Sequence, residues 1–207
     1  MRAGNRPVVV KLGGSFAYSA HLRDWIEALA ACAGRVVMVP GGGPFADAVR
    51  AAQAKMGFDD SAAHHMAVLA MEQYGRALIS LNSSLSPADS VGAIRRTLKA
   101  ARVPVWMPAR MVLAAADIAQ SWDTTSDSLA AWLVGKIGAA RLILVKRSEL
   151  PPGRLRFEDL AAMGIVDKSL ARHVRMSAGP AFIVGPSDHA EAMVAIRAGA
   201  AAGIPLV

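Results

Sequence analysis

The stretch PVVVKLGGS, residues 7–15, decides the fold class. A β-branched run ends in two glycines, and residues 21–32 then carry apolar side chains at helical spacing, which predicts a strand, a glycine turn and a helix. The same unit recurs in RVVMVPGGGPFAD, residues 35–47, with a helix predicted over residues 45–55. Two such units in succession are typical of a parallel α/β sheet.

The remainder of the chain continues this alternation. Further strands are predicted over residues 103–107, 141–145 and 181–184, and a polar turn over residues 83–87. Helices are predicted over residues 61–82, from that turn to about residue 101, and over 128–137, 157–163, 168–174 and 188–202. We therefore expect one domain over residues 1–207, a three-layer α/β/α sandwich with a mostly parallel central sheet and ligands at the carboxyl ends of its strands.

Composition excludes several classes of protein. Hydrophobic residues make up 54% of the chain and charged residues 19%, which indicates a real core and excludes a disordered chain. The single cysteine, Cys32, excludes an intramolecular disulfide and a thiolate zinc cluster. The apolar run near the N-terminus is too short for a signal peptide or a membrane span, so we expect a cytoplasmic protein without a membrane partner.

The net charge of +7 favours anionic partners without choosing among them. The densest basic cluster has helical spacing and few aromatic neighbours, and we interpret it as a solvated helix face: Arg95, Arg96, Lys99 and Arg102. We therefore expect a small anionic metabolite as the partner, and no nucleic acid. The long helix at residues 61–82 carries an apolar stripe that suits a homodimer or a higher homo-oligomer.

Glycines at a strand-to-helix turn allow backbone N–H groups to approach a phosphate, and the helix N-terminus favours negative charge. Each glycine turn alone is weak evidence, since most such turns are only tight connections. Lys11 lies where the first strand meets the Gly13–Gly14 turn, where it either reaches the same anion or extends into solvent as an ordinary strand-end lysine. Together with a hydroxyl-rich, acidic stretch at residues 122–127, the pattern favours phosphoryl transfer.

Three motifs carry a family resemblance: KLGGS at residues 11–15, PGGGPFAD at 40–47 and TSDSLA at 125–130. In order and spacing they resemble the amino-acid-kinase family, which includes acetylglutamate, aspartate, uridylate and isopentenyl phosphate kinases. The resemblance covers nearly the whole chain. It implies a kinase that uses ATP with Mg²⁺ on a small metabolite.

On the donor side, the resemblance implies that Lys11 bridges the transferring phosphoryl group, with amides from Gly13 and Gly14 and a hydroxyl contact from Ser15. Asp127 matches the aspartate that orients the catalytic lysines and helps to hold Mg²⁺, although it also suits the N-cap of the next helix. Lys168 is the candidate for the second catalytic lysine, which usually comes late in the chain. Lys168 and Lys146 are both candidates for binding the nucleotide.

On the acceptor side, the resemblance implies that the second glycine turn holds the substrate, with Ser126 beside it. The candidate substrate-binding residues are Gly41, Gly42, Gly43, Arg50, Trp122 and Ser126. Arg50 is also consistent with a solvated helix arginine. Trp106 and Trp122 both precede motif loops and are candidate walls of a pocket.

Within the family, residues 40–50, 64–75 and 121–132 most resemble the branch that phosphorylates aminomethyl-furanmethanol phosphate in methanofuran and methylofuran biosynthesis. Isopentenyl phosphate kinase is the second choice, since the glycine–histidine pair of those enzymes is absent after the second glycine turn. Two departures lie on the nucleotide side: Lys146-Arg147-Ser148 replaces a threonine-aspartate-valine run, and the C-terminal glycine–threonine pair is missing. These departures keep open a catalytically weak regulatory protein that binds a nucleotide or another anion.

Overall fold

A computed structural model describes residues 6–148, 150 and 155–207, and in these residues seven strands form one sheet. The strands are β1 (Val8–Leu12), β2 (Val36–Pro40), β3 (Leu85–Ala88), β4 (Val103–Trp106), β5 (Arg141–Val145), β6 (Ala181–Val184) and β7 (Ile204–Pro205). Their order is β3-β4-β2-β1-β5-β6-β7, and only the pairing of β7 with β6 is antiparallel. The predicted, mostly parallel sheet is confirmed.

Helices cover both faces of this sheet. They are α1 (Leu22–Ala30), α2 (Gly43–Met56), α3 (Asp60–Ser80), α4 (Val91–Lys99), α5 (Ala109–Val112), α6 (Ser126–Ile137), α7 (Phe157–Ala162), α8 (Leu170–Ser177) and α9 (His189–Ala198). Alternate residues of β1 enter different cores: Val9 packs with α6, while Val8 and Val10 pack with α1 and α9. The predicted three-layer sandwich is confirmed, and the division into a single domain stays a prediction.

The strand order places the site. The chain adds β2 on one side of β1 and later adds β5 on the other side. Lys11 pairs in parallel register with Val39 of β2 and with Leu144 of β5. Ligands of open α/β sheets bind where the strand order reverses, beyond the carboxyl ends of the strands. That position here is the end of β1, between the ends of β2 and β5.

Several element boundaries differ from the prediction. The expected polar turn at residues 83–87 contains the start of β3, a short edge strand in which Pro87 is tolerated because one side of the strand has no neighbour. The two-residue strand β7 was not predicted, because it is too short for a periodic pattern. Helix α6 begins two residues earlier than expected, at Ser126, and α9 ends at Ala198, where Gly199 adopts a left-handed conformation.

The apolar stripe predicted on α3 is divided between two faces. Tyr74 and Leu78 are buried in the core, whereas Met66, Leu69 and Leu81 keep 41%, 39% and 37% of their surface exposed. The buried face of α3 therefore coincides only in part with the predicted apolar stripe. Cys32 is buried, as expected. None of the described helices is both long and apolar enough to cross a bilayer.

Candidate active site

The two glycine turns pack directly against each other. The Gly41 amide donates to the carbonyl of Leu12 at 2.9 Å, which extends the pairing of β1 and β2 beyond the sheet. A Cβ atom on Gly14 would lie 2.2 Å from the Gly43 nitrogen, and a Cβ atom on Gly41 would lie 2.3 Å from the Gly14 nitrogen. No side chain fits at either position, so glycine is required for the two backbones to approach.

This packing separates the roles of the three glycines in the second turn. The predicted amide contact from Gly41 to an acceptor is wrong, because that N–H already donates to Leu12. Gly42 and Gly43 line a cavity at the start of α2, where Gly42 is the N-cap and brings no capping side chain. The first turn of α2 therefore offers N–H groups and a positive helix end to a bound anion.

Asp127 lies between two lysines at the end of the sheet. Lys11 Nζ is 2.8 Å from Asp127 Oδ1, and Lys146 Nζ is 2.6 Å from Asp127 Oδ2. The side chains of Lys11, Lys146 and Asp127 are only 7%, 12% and 4% exposed. The Lys11 contact has the distance of an ion pair without the direction of a hydrogen bond, while the Lys146 contact has both. One carboxylate is thus shared by two buried ammonium groups.

The ionisation of this cluster follows from burial and charge. Burial raises the pKa of Asp127, but the charges of Lys11 and Lys146 outweigh it and hold the pKa well below its usual range. For Lys146, burial outweighs the attraction of Asp127 and, with repulsion from Lys11, lowers the pKa to about 8. Lys146 is thus mostly protonated at neutral pH, although burial makes its positive charge costly in free energy. A bound anion would offset that cost.

A second carboxylate, the half-buried one of Asp167, fixes the start of α6. Asp167 Oδ2 accepts hydrogen bonds from the Thr125 amide at 2.9 Å, the Thr125 hydroxyl at 2.8 Å and the Ser128 amide at 3.0 Å, and Oδ1 accepts from the Ser128 hydroxyl. Thr125 is the N-cap residue, but its own side chain makes no capping bond. Asp167 therefore caps α6 from a distant loop and holds the turn that carries Asp127.

The alternative role of Asp127 as an N-cap is wrong, because Asp127 lies inside the first turn of α6. Its carboxylate is directed at the two lysines.

Burial and the nearby charge of Asp127 raise the pKa of Asp167, and the hydrogen bonds from Ser128 and Thr125 oppose that rise.

Two cavities meet at the first glycine turn. The α2–α3 cavity is lined by Gly14, Ser15, Gly42, Gly43, Asp47, Arg50, His64, Met71, Trp122, Thr125 and Ser126, among others. The β5 cavity is lined by Lys11, Gly13, Gly14, Ser15, Arg50, Trp122, Thr125, Asp127, Lys146, Asp167 and Lys168, among others. Gly14, Ser15, Arg50, Trp122 and Thr125 line both, so a group bound in one cavity can contact a group bound in the other.

Arg50 stands at this junction. Its guanidinium lies 4.2 Å from the centre of the Trp122 ring and 3.3 Å from the Asp47 carboxylate. The Trp122 indole N–H donates to the Gln53 side chain at 2.6 Å. One face of the Trp122 ring therefore supports Arg50, but the Arg50 side chain is still 55% exposed, so its alternative as a solvated helix arginine is not overturned. The other candidate wall, Trp106, is fully buried in the core against Trp132, so that prediction is wrong.

His64 completes the α2–α3 cavity. It is 5% exposed on α3, whereas His65 faces outward, as expected for adjacent helical residues. Burial, and to a lesser extent the charge of His65, lower the pKa of His64. His64 is therefore neutral at pH 7 and offers one donor and one acceptor to a ligand.

Lys168 does not join the Lys11–Asp127–Lys146 cluster. Its ammonium lies 3.0 Å from Asp123, and its side chain is 74% exposed at the rim of the β5 cavity. Lys168, the residue predicted as the second catalytic lysine, thus forms an ion pair with Asp123 on the surface. The Ser169 amide donates to the Asp123 carbonyl at 3.0 Å, which ties this rim to the loop before α6.

Sequence reasoning missed Asp167 and placed Lys146 only on the nucleotide side. Asp167 is adjacent to Lys168, which was chosen as the second catalytic lysine because that lysine usually comes late in the chain. Lys146 carried a usable signal: it continues the alternation Leu142, Leu144 along β5, and those residues pack on the α6 side of the sheet.

Candidate metal ligands are few in this region. Both Asp127 oxygens are within 2.8 Å of an ammonium, which opposes a metal ion bound directly there. Elsewhere in the described part of the chain, ligand atoms of His21, Asp24 and His189 lie within 4.8 Å of one another between α1 and α9, outside both cavities. A direct Mg²⁺ contact of Asp127 therefore does not fit this geometry, in agreement with the expectation that Asp127 helps to hold Mg²⁺ mainly through the phosphates of ATP.

Comparison with known proteins decides the family. Residues 6–149, more than half of the chain, match the amino acid kinase family. The chain belongs to the amino acid kinase family. This confirms the family that the motifs predicted.

One curated relative matches much of the chain. The chain is 29% identical over 142 residues to the [5-(aminomethyl)furan-3-yl]methyl phosphate kinase of Methanocaldococcus jannaschii, a match that covers 66% of this chain and 63% of that relative. The matched part thus spans less than two thirds of the relative's length.

Solved structures share the fold. The uridylate kinase of Archaeoglobus fulgidus has a TM-score of 0.69 at 21% identity and covers 97% of this chain and 100% of its own. The UMP kinase of Ureaplasma parvum has a TM-score of 0.68 at 13% identity, covering 98% and 99%.

We predict opposite stability effects for two substitutions in the Lys11–Asp127–Lys146 cluster. Asp127→Asn leaves two buried ammonium groups without a counter-charge and should lower the free energy of unfolding by roughly 3 kcal/mol. Lys11→Met leaves a balanced Lys146–Asp127 pair and should unfold at or above the wild-type temperature. Both variants should lose turnover by orders of magnitude. Thermal unfolding and kinase assays measure the two effects, and a Lys11→Met protein with normal turnover would contradict the assignment.

We predict that Asp167→Ala reduces turnover as well as stability. Alanine leaves groups of the half-buried Thr125 and the buried Ser128 without acceptors, at about 1–3 kcal/mol for each group that stays out of reach of water, and releases the turn that holds Asp127. Asp167→Asn keeps an acceptor oxygen and should recover most of both losses. The contrary finding would be an Asp167→Ala protein with a lower melting temperature and unchanged kcat, since Asp167 would then be only a helix cap.

Proposed function

We propose that this protein transfers the terminal phosphoryl group of ATP to a small phosphorylated alcohol and forms a diphosphate. The observation that carries the proposal is the junction of two cavities at Gly14 and Ser15, with two buried lysines on one side and Arg50 at the shared wall. Phosphoryl transfer needs donor and acceptor in line, with positive charge at the group in transit. The junction supplies a place for both.

ATP suits the β5 cavity. The Lys11–Asp127–Lys146 cluster has an excess of one positive charge in a mostly buried site, and Lys168 and Arg147 add cations at the rim. Triphosphate oxygens would satisfy these cations, and the low local dielectric strengthens the attraction. Mg²⁺, which neutralises phosphate charge in kinases, would be held through the phosphates of ATP, because Asp127 is already shared by two lysines.

A phosphorylated acceptor suits the α2–α3 cavity. Arg50 and the start of α2 offer positive charge for a phosphate, and Ser126 and Thr125 offer hydroxyl groups. The lining of this cavity also includes the apolar side chains of Val68 and Met71. The cavity therefore combines an anion site with an apolar surface, as expected for a small organic phosphate.

We propose that the acceptor is the aminomethyl-furanmethanol phosphate on which the M. jannaschii relative acts. The flat ring would rest on the apolar wall, its ammonium group would approach Asp47, and neutral His64 would bond to a polar ring atom. Isopentenyl phosphate would use the same anion site and apolar wall without an ammonium contact. Its use would preserve the type of reaction and change only the acceptor.

We propose that the protein forms a homodimer through the exposed face of α3, with Phe45 of α2 alongside it. Four apolar side chains, each 37–41% exposed, form a set that a partner would cover: Met66, Leu69, Leu81 and Phe45.

The location of the protein in the cytoplasm stays a prediction.

The acceptor is tested by offering aminomethyl-furanmethanol phosphate, isopentenyl phosphate, uridylate and acetylglutamate together at equal concentrations, with ATP and Mg²⁺. We expect the furan phosphate to be consumed first. Asp47→Asn should reduce its advantage over isopentenyl phosphate by about three- to tenfold, the value of one ordinary hydrogen bond, because the Asp47 side chain is 76% exposed. Preference for uridylate or acetylglutamate would reject the acceptor class, and binding of ATP without turnover would favour the regulatory alternative.

The dimer is tested by light scattering on the purified protein. We expect twice the 21.6 kDa mass of the chain for the wild type and a shift toward the monomer for Leu69→Glu. Met176→Glu, at a 57% exposed methionine on α8, is the matched control and should remain dimeric. A monomeric wild type, or equal effects of both substitutions, would reject α3 as the interface.

A further inference from the structure

The residue after β5 is a lysine to which the family motifs assign no catalytic role. Lys146 directly follows β5, and its backbone amide donates to the Val184 carbonyl at 3.0 Å, so the residue extends the pairing of β5 with β6. This backbone contact fixes the base of the side chain. Lys146 is therefore placed by the sheet and not by a surface loop.

Strand alternation directs this lysine toward Lys11. Leu142 and Leu144 pack on the α6 side of the sheet, and Lys146 is the next residue of the same parity. On β1, Val9 packs on that side and Lys11 is the next residue of its parity. Because Lys11 pairs in register with Leu144, the two lysines rise from adjacent strands on the same face. Asp127, in the first turn of α6, meets both.

Lys168 occupies a different environment. It is 74% exposed and paired with Asp123, whereas the Lys146 side chain is 12% exposed and paired with Asp127. Two ammonium groups on one buried carboxylate leave one positive charge to be met by a ligand. The phosphate chain of ATP is the anion that the proposed function brings to this cavity.

We infer that Lys146, rather than Lys168, is the second catalytic lysine of this chain and contacts the transferring phosphoryl group together with Lys11. This inference rests on the proposed function. The departure at residues 146–148 is then a relocation of the second cation and not a loss of activity.

The step needs no further reactant. An oxygen of the acceptor phosphate forms a bond to the terminal phosphorus of ATP as the bond from that phosphorus to the bridging oxygen breaks, and the electron pair leaves with ADP. Lys11 and Lys146 offset the charge on the phosphoryl oxygens during transfer. No proton has to be removed from an ionised phosphate acceptor.

Four lysine variants test the assignment: Lys11→Met, Lys146→Met, Lys168→Met and, as a control on the outer end of α4, Lys99→Met. Turnover is measured with ATP and aminomethyl-furanmethanol phosphate, and binding by calorimetric titration with MgATP alone. We expect Lys146→Met to lose roughly 10²–10³-fold in kcat, as for removal of one charge-stabilising group, and about tenfold or more in ATP affinity. Lys168→Met should lose less than tenfold in kcat, and Lys99→Met should match the wild type.

A conservative variant separates catalysis from folding. Lys146→Met leaves the Lys11–Asp127 pair balanced, so its melting temperature should not fall, and Lys146→Arg should recover part of the lost ATP affinity because it restores the charge. If Lys168→Met loses as much turnover as Lys11→Met while Lys146→Met stays within threefold of the wild type, the inference is overturned. Equal losses for Lys146→Met and Lys168→Met would overturn it too.

Failure of the proposed function gives a different result. A wild-type protein that binds MgATP but phosphorylates none of the acceptors rejects the proposed reaction. The titration of Lys146→Met then still decides the contact: weaker MgATP binding than for Lys168→Met supports phosphate binding by Lys146, and unchanged binding overturns it.

Discussion

A single buried carboxylate, that of Asp127, organises the end of the sheet. It is shared by ammonium groups from two adjacent strands, and the cluster keeps one positive charge in excess. Such a site is costly in the absence of an anion, because burial opposes charge while the carboxylate can neutralise only one lysine. The cost shows in the lowered pKa of Lys146. The folded protein tolerates this cost because Asp167, which lies outside the cluster, holds α6 in place. Its four hydrogen bonds fix the turn that carries Asp127.

The glycine turns set the distance between the two halves of the site. Gly14 and Gly43 approach so closely that a single Cβ atom would separate them, and the Gly41 amide closes the gap by bonding to Leu12. The wall that the α2–α3 cavity and the β5 cavity share consequently includes the bare backbone of Gly14, beside Ser15, Arg50, Trp122 and Thr125. Because glycine has no side chain, two phosphates can approach each other across that backbone.

The sequence was sufficient for the fold class and for two of the three residues of the Lys11–Asp127–Lys146 cluster. Strand and helix periods, with the glycine turns, predicted the parallel sheet and placed Lys11 at its edge, while the family resemblance assigned Asp127 to the catalytic lysines. The alternation along β5 gives the face on which Lys146 lies, but the contact of Lys146 with Asp127 and that of Asp167 with Thr125 depend on how α6 lies across the sheet. Asp167 is 42 residues from Thr125, and no local pattern relates them. The edge strands β3 and β7 were missed because each is short and contains a proline.

The position of a catalytic charge matters more than the segment that supplies it. Electrostatic catalysis requires cations that are already in place before the reaction, so that no reorganisation is needed when charge develops. Lys146 satisfies this requirement through backbone pairing with β6 and a buried side chain, whereas Lys168 is exposed on a turn and must leave Asp123 to reach the phosphates. A lysine at a strand end is thus the better-organised source of charge. Residues 146–148 depart from the family pattern, and on sequence grounds this departure argued against activity. In the structure Lys146 of this segment supplies the positive charge that phosphoryl transfer requires.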